Sequence, residues 1–312
     1  GLVVVDEQHR FGVRQREALL AKGRHPDLLL MTATPIPRTL AMTAFGDMEV
    51  STIREMPPGR RPVITHLARM GNEEKVYRFV ERELDKGHRA YFVYPRIEGE
   101  ESAPGEPDVA AVPAAAGGLK DVTTMVETLR SRFPGYTAEM IHSRLEEEEK
   151  AAVMERFSKG ELRILVATSV VEVGVDVSDA TAMVIEHAER FGLAALHQLR
   201  GRVGRSELQS YCFLVYAEPL TEVGKERMRL LHGTTDGFEI AEEDLRLRGP
   251  GELQGTRQSG YLRLQVADLG RDVELLVDAR EAAVELLSGD PGLLAPGHRE
   301  LRTAIAMEEE PT

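Results

Sequence analysis

Short apolar runs alternate with longer amphipathic segments through the first two thirds of the 312-residue chain. The runs LVVV, RAYFVYP and RILVAT do not alternate with polar residues, and such runs are typical of strands buried on both faces. The segment NEEKVYRFVERELDKG places Val76, Phe79, Val80 and Leu84 on one face of a helix. Strands that alternate with helices of this length predict an α/β fold with a parallel sheet covered on both faces.

Nine apolar segments are predicted as strands on this basis, at residues 2–5, 28–32, 49–53, 63–67, 89–95, 138–143, 163–168, 182–187 and 211–216. Ser143 and Glu146 have the spacing of a capping box and predict the start of the helix LEEEEKAAVMERFSKG. Residues 98–120 are rich in Ala, Pro and Gly and have little to bury, which predicts a mobile surface loop. After Pro219 the pattern changes to helices around a glycine-rich loop at 248–260.

Composition and charge narrow the class of protein without naming a partner. The hydrophobic fraction of 42% fits a globular protein, and no apolar stretch has the length of a membrane span. Cys212 is the single cysteine, which excludes a disulfide framework; without a signal peptide, this predicts a cytosolic protein. The net charge of −13 argues against a surface that is basic throughout, although binding to phosphates needs only local donors.

Two adjacent carboxylates, Asp6 and Glu7, directly follow the first predicted strand. In open parallel sheets, ligands bind beyond the carboxyl ends of the strands. One carboxylate there can hold Mg²⁺ through water, while the other orients or deprotonates an attacking water. The alternative is an acidic dipeptide that ends a strand at the surface, because so short a motif often matches by chance.

The next predicted strand ends in hydroxyl groups. Thr32 and Thr34 close it, and Pro35 and Pro37 force an extended turn with Arg38 beyond them. Hydroxyls at one strand end, beside carboxylates at a neighbouring one, suit a relay between a nucleotide site and a moving element. Taken alone, the segment TATP also fits a turn with a helix cap.

A third candidate is the segment HQLRGRVGR at 197–205. Arg202 and Arg205 are three apart, so on a helical turn both guanidinium groups face one way. Gly201 and Gly204 remove side-chain bulk and would let a phosphate approach closely. Paired arginines that neutralise a transferring γ-phosphate are arginine fingers. The alternative is a basic turn that neutralises nearby acids.

The order and spacing of these segments resemble a known family. DEQH, TATPIPR, ATSVVEVGVD and QLRGRVGR look like motifs II, III, V and VI of superfamily 2 helicases. The longer segments ERFGLAALHQLRGRVGR and RGPGELQGTRQSG resemble the RecG family of ATP-dependent, branched-DNA helicases of bacteria. The similarity runs from residue 1 to about residue 290, with an apparent insertion near 98–118.

The resemblance implies RecA-like parallel sheets in three domains. Residues 1–56 would be the end of a first motor lobe, 57–218 a complete second lobe, and 219–312 a mainly helical translocation module. It implies ATP and Mg²⁺ as cofactors and branched double-stranded DNA as the partner of a monomeric, cytoplasmic protein without membrane contact.

It also implies a role for individual residues. Asp6 would act on Mg²⁺, Glu7 would be the catalytic base, and Gln8 and His9 would couple nucleotide state to domain movement. Thr32 and Thr34 would form the motif III relay; Thr168, Gly174 and Asp176 would form motif V; Gln198, Arg202 and Arg205 would form motif VI. Arg227, Arg248 and Gln258 would work in the translocation motif, and strand-end position suggests Arg38, His142 and Arg144 as DNA contacts.

The phosphate loop GxxxxGK[ST] that such a motor needs has no match in the chain. The nearest segment, PLTEVGKE, has Pro219 in place of Gly and Glu226 in place of Ser or Thr. We therefore expect the chain to be the C-terminal part of a longer protein and to hydrolyse ATP negligibly alone.

Three alternatives stay open from the sequence. The Mfd family of transcription-repair coupling translocases shares DEQHRFG and TATPIPRT, although Pro250 and the pair at 256–257 favour RecG. A non-catalytic DNA-binding or regulatory module is a second alternative. An RNA helicase is the third, but segment 248–260 has no counterpart that we recognise in those families.

Overall fold

The computed structural model describes residues 1–6, 18–23, 26–32, 51–53, 55–95, 122–142, 145–168, 177–252 and 273–308. These residues form two compact units. The first runs to Leu247, and the second begins at Arg248.

Two parallel sheets lie in the described part of the first unit. Strands β1 (Leu2–Val5) and β2 (Asp27–Leu30) pair in parallel, with Val5 opposite Leu30. The larger sheet has six parallel strands in the order β3-β8-β7-β4-β6-β5. Its strands are β3 (Ile64–Arg69), β4 (Arg89–Val93), β5 (Ala138–Ile141), β6 (Ile164–Ala167), β7 (Ala180–Ile185) and β8 (Tyr211–Tyr216). The predicted parallel α/β fold is therefore confirmed.

Helices connect these strands and make up most of the described C-terminal part. Those of the first unit are α1 (Glu73–Asp85), α2 (Val122–Arg132), α3 (Glu147–Lys159), α4 (Leu193–Arg200) and α5 (Glu222–Gly233). They are followed by α6 (Gly237–Glu252), which continues to the start of the second unit. The second unit also contains α7 (Val273–Gly289) and α8 (Arg299–Glu308). The predicted helical character after Pro219 is confirmed.

The six-stranded sheet carries a hydrophobic core on each face. Tyr91 packs with Phe157 of α3 in one core, and its neighbour Phe92 packs with Phe133 in the other. Every residue of β4 and β7 is buried, which explains why these strands lack polar alternation. Cys212 of β8 is buried in the first of these cores.

Two local expectations are wrong. Residues 51–53, the described part of the predicted strand 49–53, lie in no strand, and Ile53 is 89% exposed because none of the described strands pairs with this segment. The helix cap is not Ser143 but Glu146, whose backbone N–H donates to the Glu149 carboxylate at 3.4 Å. Three glutamates in the first turn also favour this later start, because acidic groups stabilise a helix N-terminus.

The domain boundaries at 56/57 and 218/219 stay predictions, and the whole of the predicted loop 98–120 lies outside the described residues. Within the described ranges, no helix combines the length and apolar content needed to cross a membrane.

Candidate functional site

The two-stranded sheet brings Asp6 and Thr32 to one edge. Asp6 directly follows β1, and Thr32 lies two residues beyond β2. The parallel register continues past the strands, since the backbone N–H of Met31 donates to the Val5 carbonyl at 2.8 Å. A carboxylate and a hydroxyl therefore lie at the same carboxyl edge, where the sequence predicts nucleotide chemistry.

Four polar residues lie one position beyond four neighbouring strands of the larger sheet. Glu186 follows β7, Tyr94 follows β4, Thr168 follows β6 and His142 follows β5. The ladder continues to this level, because the amides of Glu186 and Tyr94 each donate at 2.9 Å to the last residue of the adjacent strand. We name these four residues the carboxyl-edge row. The sequence analysis singled out Thr168 and His142 but missed Glu186 and Tyr94.

Three members of the carboxyl-edge row are buried. Thr168, Tyr94 and Glu186 are 0%, 2% and 3% exposed. The Tyr77 hydroxyl of α1 donates to the Glu186 carboxylate at 3.3 Å. Burial, aided by the nearby Glu73, raises the pKa of Glu186 to about 7. This carboxyl group is therefore partly protonated near neutral pH.

The motif VI residues lie on α4 and in the turn after it. Gln198 is on the helix, whereas Arg202 and Arg205 follow its last residue, Arg200. The expectation that both arginines share a helical face is wrong, because the helix ends before them and Gly204 has a left-handed φ of 73°. The Arg205 Nε donates back to the Gly201 carbonyl at 3.3 Å.

Gly204 has a packing role that the sequence did not indicate. A Cβ at this position would lie 2.6 Å from Cγ2 of Val63, so the missing side chain makes room for a packed valine. The Gly204 carbonyl also accepts a hydrogen bond from Arg60 Nε at 2.6 Å. The glycine therefore fixes the turn against the segment before β3, and its role in the approach of a phosphate stays a prediction.

Arg200 is the functional candidate of this segment that the sequence analysis missed. It is buried, and its Nη1 donates to the carbonyls of Leu231 at 2.9 Å and Thr234 at 2.8 Å. These carbonyls lie at the C-terminal end of α5, where no helical partner is available for them. Arg200 thus fastens the helix that carries motif VI to the helix that follows β8.

The neighbouring His197 contacts the Arg200 guanidinium group that joins α4 to α5. Its Nδ1 lies 3.1 Å from Nη2 of Arg200. Burial, followed by the Arg200 charge, lowers the pKa of His197 to about 4. The imidazole is therefore neutral at pH 7 and can accept a hydrogen bond from the guanidinium group.

The translocation candidates are only partly described. Arg227 is half-buried on α5, and its Nε is buried with no hydrogen-bond partner in the described structure. Arg248 is helical, because α6 continues through Gly249 and Pro250 to Glu252. Its predicted place on a glycine-rich loop is therefore wrong.

The remaining predicted site residues lie outside the described residues: Glu7, Gln8, His9, Thr34, Arg38, Arg144, Gly174, Asp176 and Gln258. Within the described ranges, no group of three or more His, Cys, Asp or Glu side chains could hold a metal ion.

The segment nearest to a phosphate loop, PLTEVGKE, forms the capped start of α5. The Thr221 hydroxyl accepts a hydrogen bond from the Gly224 amide at 3.0 Å, as an N-cap side chain does. The Gly224 amide is therefore already hydrogen-bonded to the N-cap side chain of α5.

Comparison with known families supports the motif assignment. Residues 118–207 match the helicase conserved C-terminal domain. Residues 234–305 match the model described as ATP-dependent DNA helicase RecG, domain 3, C-terminal.

Full-length relatives agree with these matches. The chain is 53% identical over 301 residues to ATP-dependent DNA helicase RecG of Treponema pallidum, which covers 93% of this chain and 42% of that protein. It is 48% identical over 305 residues to RecG of Bacillus subtilis, covering 97% of this chain and 42% of that protein. The chain belongs to the RecG family.

A solved RecG structure has the same fold. The structure of RecG bound to a three-way DNA junction matches with a TM-score of 0.64 and 44% identity, over 88% of this chain and 33% of that chain. The chain spans about two fifths of the length of these curated RecG relatives.

Replacement of Gly204 by Ala is expected to destabilise the protein by about 2–4 kcal/mol, because the added Cβ meets Val63 and the backbone is left-handed. Urea unfolding measures the change. Gly135→Ala is the matched control, since nothing lies within 4 Å of a Cβ there. The double variant Val63→Ala/Gly204→Ala should recover part of the lost stability, because the smaller side chain makes room for the added Cβ. If it recovers none, steric contact with Val63 is not the cause of the loss.

Replacement of Arg200 by Met is expected to cost about 3 kcal/mol, because two carbonyls at the end of α5 lose a charged donor. The control is Arg229→Met, at an exposed site on α5. Its free energy of unfolding should stay within about 0.5 kcal/mol of the parent value. Equal stability of the two variants would contradict a fastening role for Arg200.

Proposed function

We propose that the complete protein containing this chain is an ATP-driven translocase on double-stranded DNA that unwinds and remodels branched DNA. The observation that carries most weight is the RecG-specific domain 3 match at 234–305, which follows a helicase C-terminal match on the same chain. A RecG relative of known structure binds a three-way DNA junction, which supports forks and Holliday junctions as substrates.

The donor set at the edge of the small sheet fits Mg²⁺ and nucleotide. Asp6 and Thr32 offer oxygen atoms there, and oxygen is the donor that Mg²⁺ prefers. Bound Mg²⁺ would neutralise charge on the phosphate oxygens. Asp6 would hold the ion through water, Glu7 would deprotonate the attacking water, and Gln8 and His9 would couple nucleotide state to movement.

Motif VI would supply positive charge to the transferring phosphoryl group. We assign Arg202 and Arg205 as arginine fingers and Gln198 as a nucleotide contact. The hydrogen bonds from Arg200 to α5 hold the end of α4 in place. The backbone that carries Arg202 and Arg205 is therefore anchored just before the two arginines. A preorganised cation lowers the barrier because it need not reorient as charge develops.

DNA contact and coupling are assigned to four groups of residues. Thr32 and Thr34 would form the motif III relay, and Thr168, Gly174 and Asp176 would form motif V. Arg38, His142 and Arg144 would contact DNA; Arg227, Arg248 and Gln258 would transmit movement of the motor to it. We also propose a monomeric, cytoplasmic protein without membrane contact, since its DNA substrate lies in the cytoplasm.

The test uses the complete gene product with synthetic three-way junctions and linear duplex of equal length. We expect ATP turnover to be stimulated by DNA and strand separation to occur on the junction. Glu7→Gln should abolish turnover and keep nucleotide binding, whereas Arg205→Ala should slow hydrolysis by roughly 10³-fold. A change of less than about tenfold in Arg205→Ala would argue against a finger.

Other outcomes would favour other functions. Release of a stalled RNA polymerase without activity on junctions would indicate a Mfd-like translocase. Binding of DNA without ATP turnover would indicate a non-catalytic module.

The 312-residue chain alone is expected to show negligible DNA-stimulated ATP hydrolysis, because no segment of it has the phosphate-loop sequence. A phosphate-release assay with and without junction DNA measures this, with the complete gene product as the positive control. Clear turnover by the isolated chain would refute the expectation.

A further inference from the structure

Glu186 is a buried acid that the proposed ATP chemistry does not use. It is 3% exposed at the carboxyl end of the central strand β7. Its carboxylate accepts one side-chain hydrogen bond in the described structure, from Tyr77 of α1. A carboxylate has room for about four such bonds, so the ionised form is poorly compensated here.

The charges that face Glu186 come from three directions. From α1 come Tyr77, which hydrogen-bonds to it, and the acidic Glu73. Beyond β7 lie His187, which favours the ionised form, and Glu189, which opposes it. On the adjacent strand β4, Tyr94 presents a buried hydroxyl. The two neighbouring acids and the burial together favour the protonated carboxyl group.

The next two members of the carboxyl-edge row contain buried hydroxyls without partners. Tyr94 OH and Thr168 Oγ1 have no hydrogen-bond partner in the described structure, although both residues are at least 98% buried. Buried polar atoms are rarely left unpaired, and the exceptions are frequent at functional sites. The row thus runs from a buried, partly protonated acid at β7 to the first hydroxyl of motif V at β6.

We propose that Glu186 is a positioning residue of the motor, and that its carboxyl group, hydrogen-bonded to Tyr77, holds the ends of β7 and β4 against α1 and so fixes Thr168 at the start of motif V. This inference rests on the proposed function. Glu186 touches neither nucleotide nor DNA in this arrangement. It acts through its hydrogen bond to Tyr77 and through the strand ladder, in which the Glu186 amide donates to the Val93 carbonyl and the Tyr94 amide to the Ala167 carbonyl.

Loss of the proton would place a negative charge beneath the row. The charge would repel Glu73 and Glu189 and would draw water into the space between the strand ends and α1. Thr168 would then lose its fixed position, and coupling between DNA and ATP turnover would weaken. Glu186→Gln keeps the shape and the acceptor for Tyr77 but cannot ionise.

The experiment measures DNA-stimulated kcat and junction affinity of the complete gene product between about pH 5.5 and 8.5. We expect the ratio of wild-type kcat to Glu186→Gln kcat to fall by about threefold or more as the pH rises through about 7, with both proteins folded. Glu127→Gln, an exposed carboxyl of α2, should follow the wild-type profile.

A second variant keeps the test independent of how well Glu186→Gln folds. The charge of Glu73 raises the pKa of Glu186 without a hydrogen bond to it, so Glu73→Gln should move the decline in kcat to lower pH and leave the Tyr77 contact in place. A purely structural Glu186 would alter thermal stability and leave the kcat profile of the folded enzyme unchanged.

The outcomes separate this inference from the proposed function. An active wild-type enzyme whose profile coincides with that of Glu186→Gln, or an unshifted Glu73→Gln profile, would overturn the inference and leave the function intact. A complete protein that never hydrolyses ATP with DNA would overturn both.

Discussion

The parallel register of the six-stranded sheet is the constraint on which the rest of the first unit's fold depends. Each pair of neighbouring strands is hydrogen-bonded in parallel, so the strands end at one edge. The two central strands are buried along their whole length, so a polar side chain within them needs a specific partner, as Thr181 of β7 has in the Glu83 carboxylate. Most of their residues are apolar, and the carboxyl-edge row lies at the positions just beyond the strands.

The connection between α4 and α5 has a comparable role for motif VI. A buried guanidinium group is costly unless its donors are satisfied, and Arg200 meets this requirement with carbonyls at the end of α5. The same bonds satisfy carbonyls that a helix end leaves unpaired. The Arg200 side chain thus satisfies both its own buried donors and the carbonyls at the end of α5. The turn that carries Arg202 and Arg205 begins directly after Arg200.

The sequence predicted the fold well because its signals are local. Unbroken apolar runs predict buried parallel strands, and the order of the motifs predicts the family. It failed where the deciding neighbour is distant in the chain. Nothing near Gly204 indicates Val63, and nothing near Arg200 indicates the end of α5. Glu186 did carry a local signal, since it follows an apolar run as Asp6 does.

The corrected details share a physical cause. Arg202 and Arg205 were expected on one helical face, but a left-handed glycine follows the helix end. Arg248 was expected on a loop because glycine and proline usually end helices, yet α6 continues through them. In both cases the expectation was wrong because the helix ends at a different residue from the one assumed: α4 stops at Arg200, and α6 continues to Glu252.

The single thiol of the chain has a practical consequence. Cys212 is fully buried in the core beneath α4, and burial raises its pKa to about 12. Thiol reagents attack the thiolate, so this native cysteine will be inert in the folded state. Fluorophore pairs attached through new surface cysteines can therefore report distances in the chain without removal of Cys212.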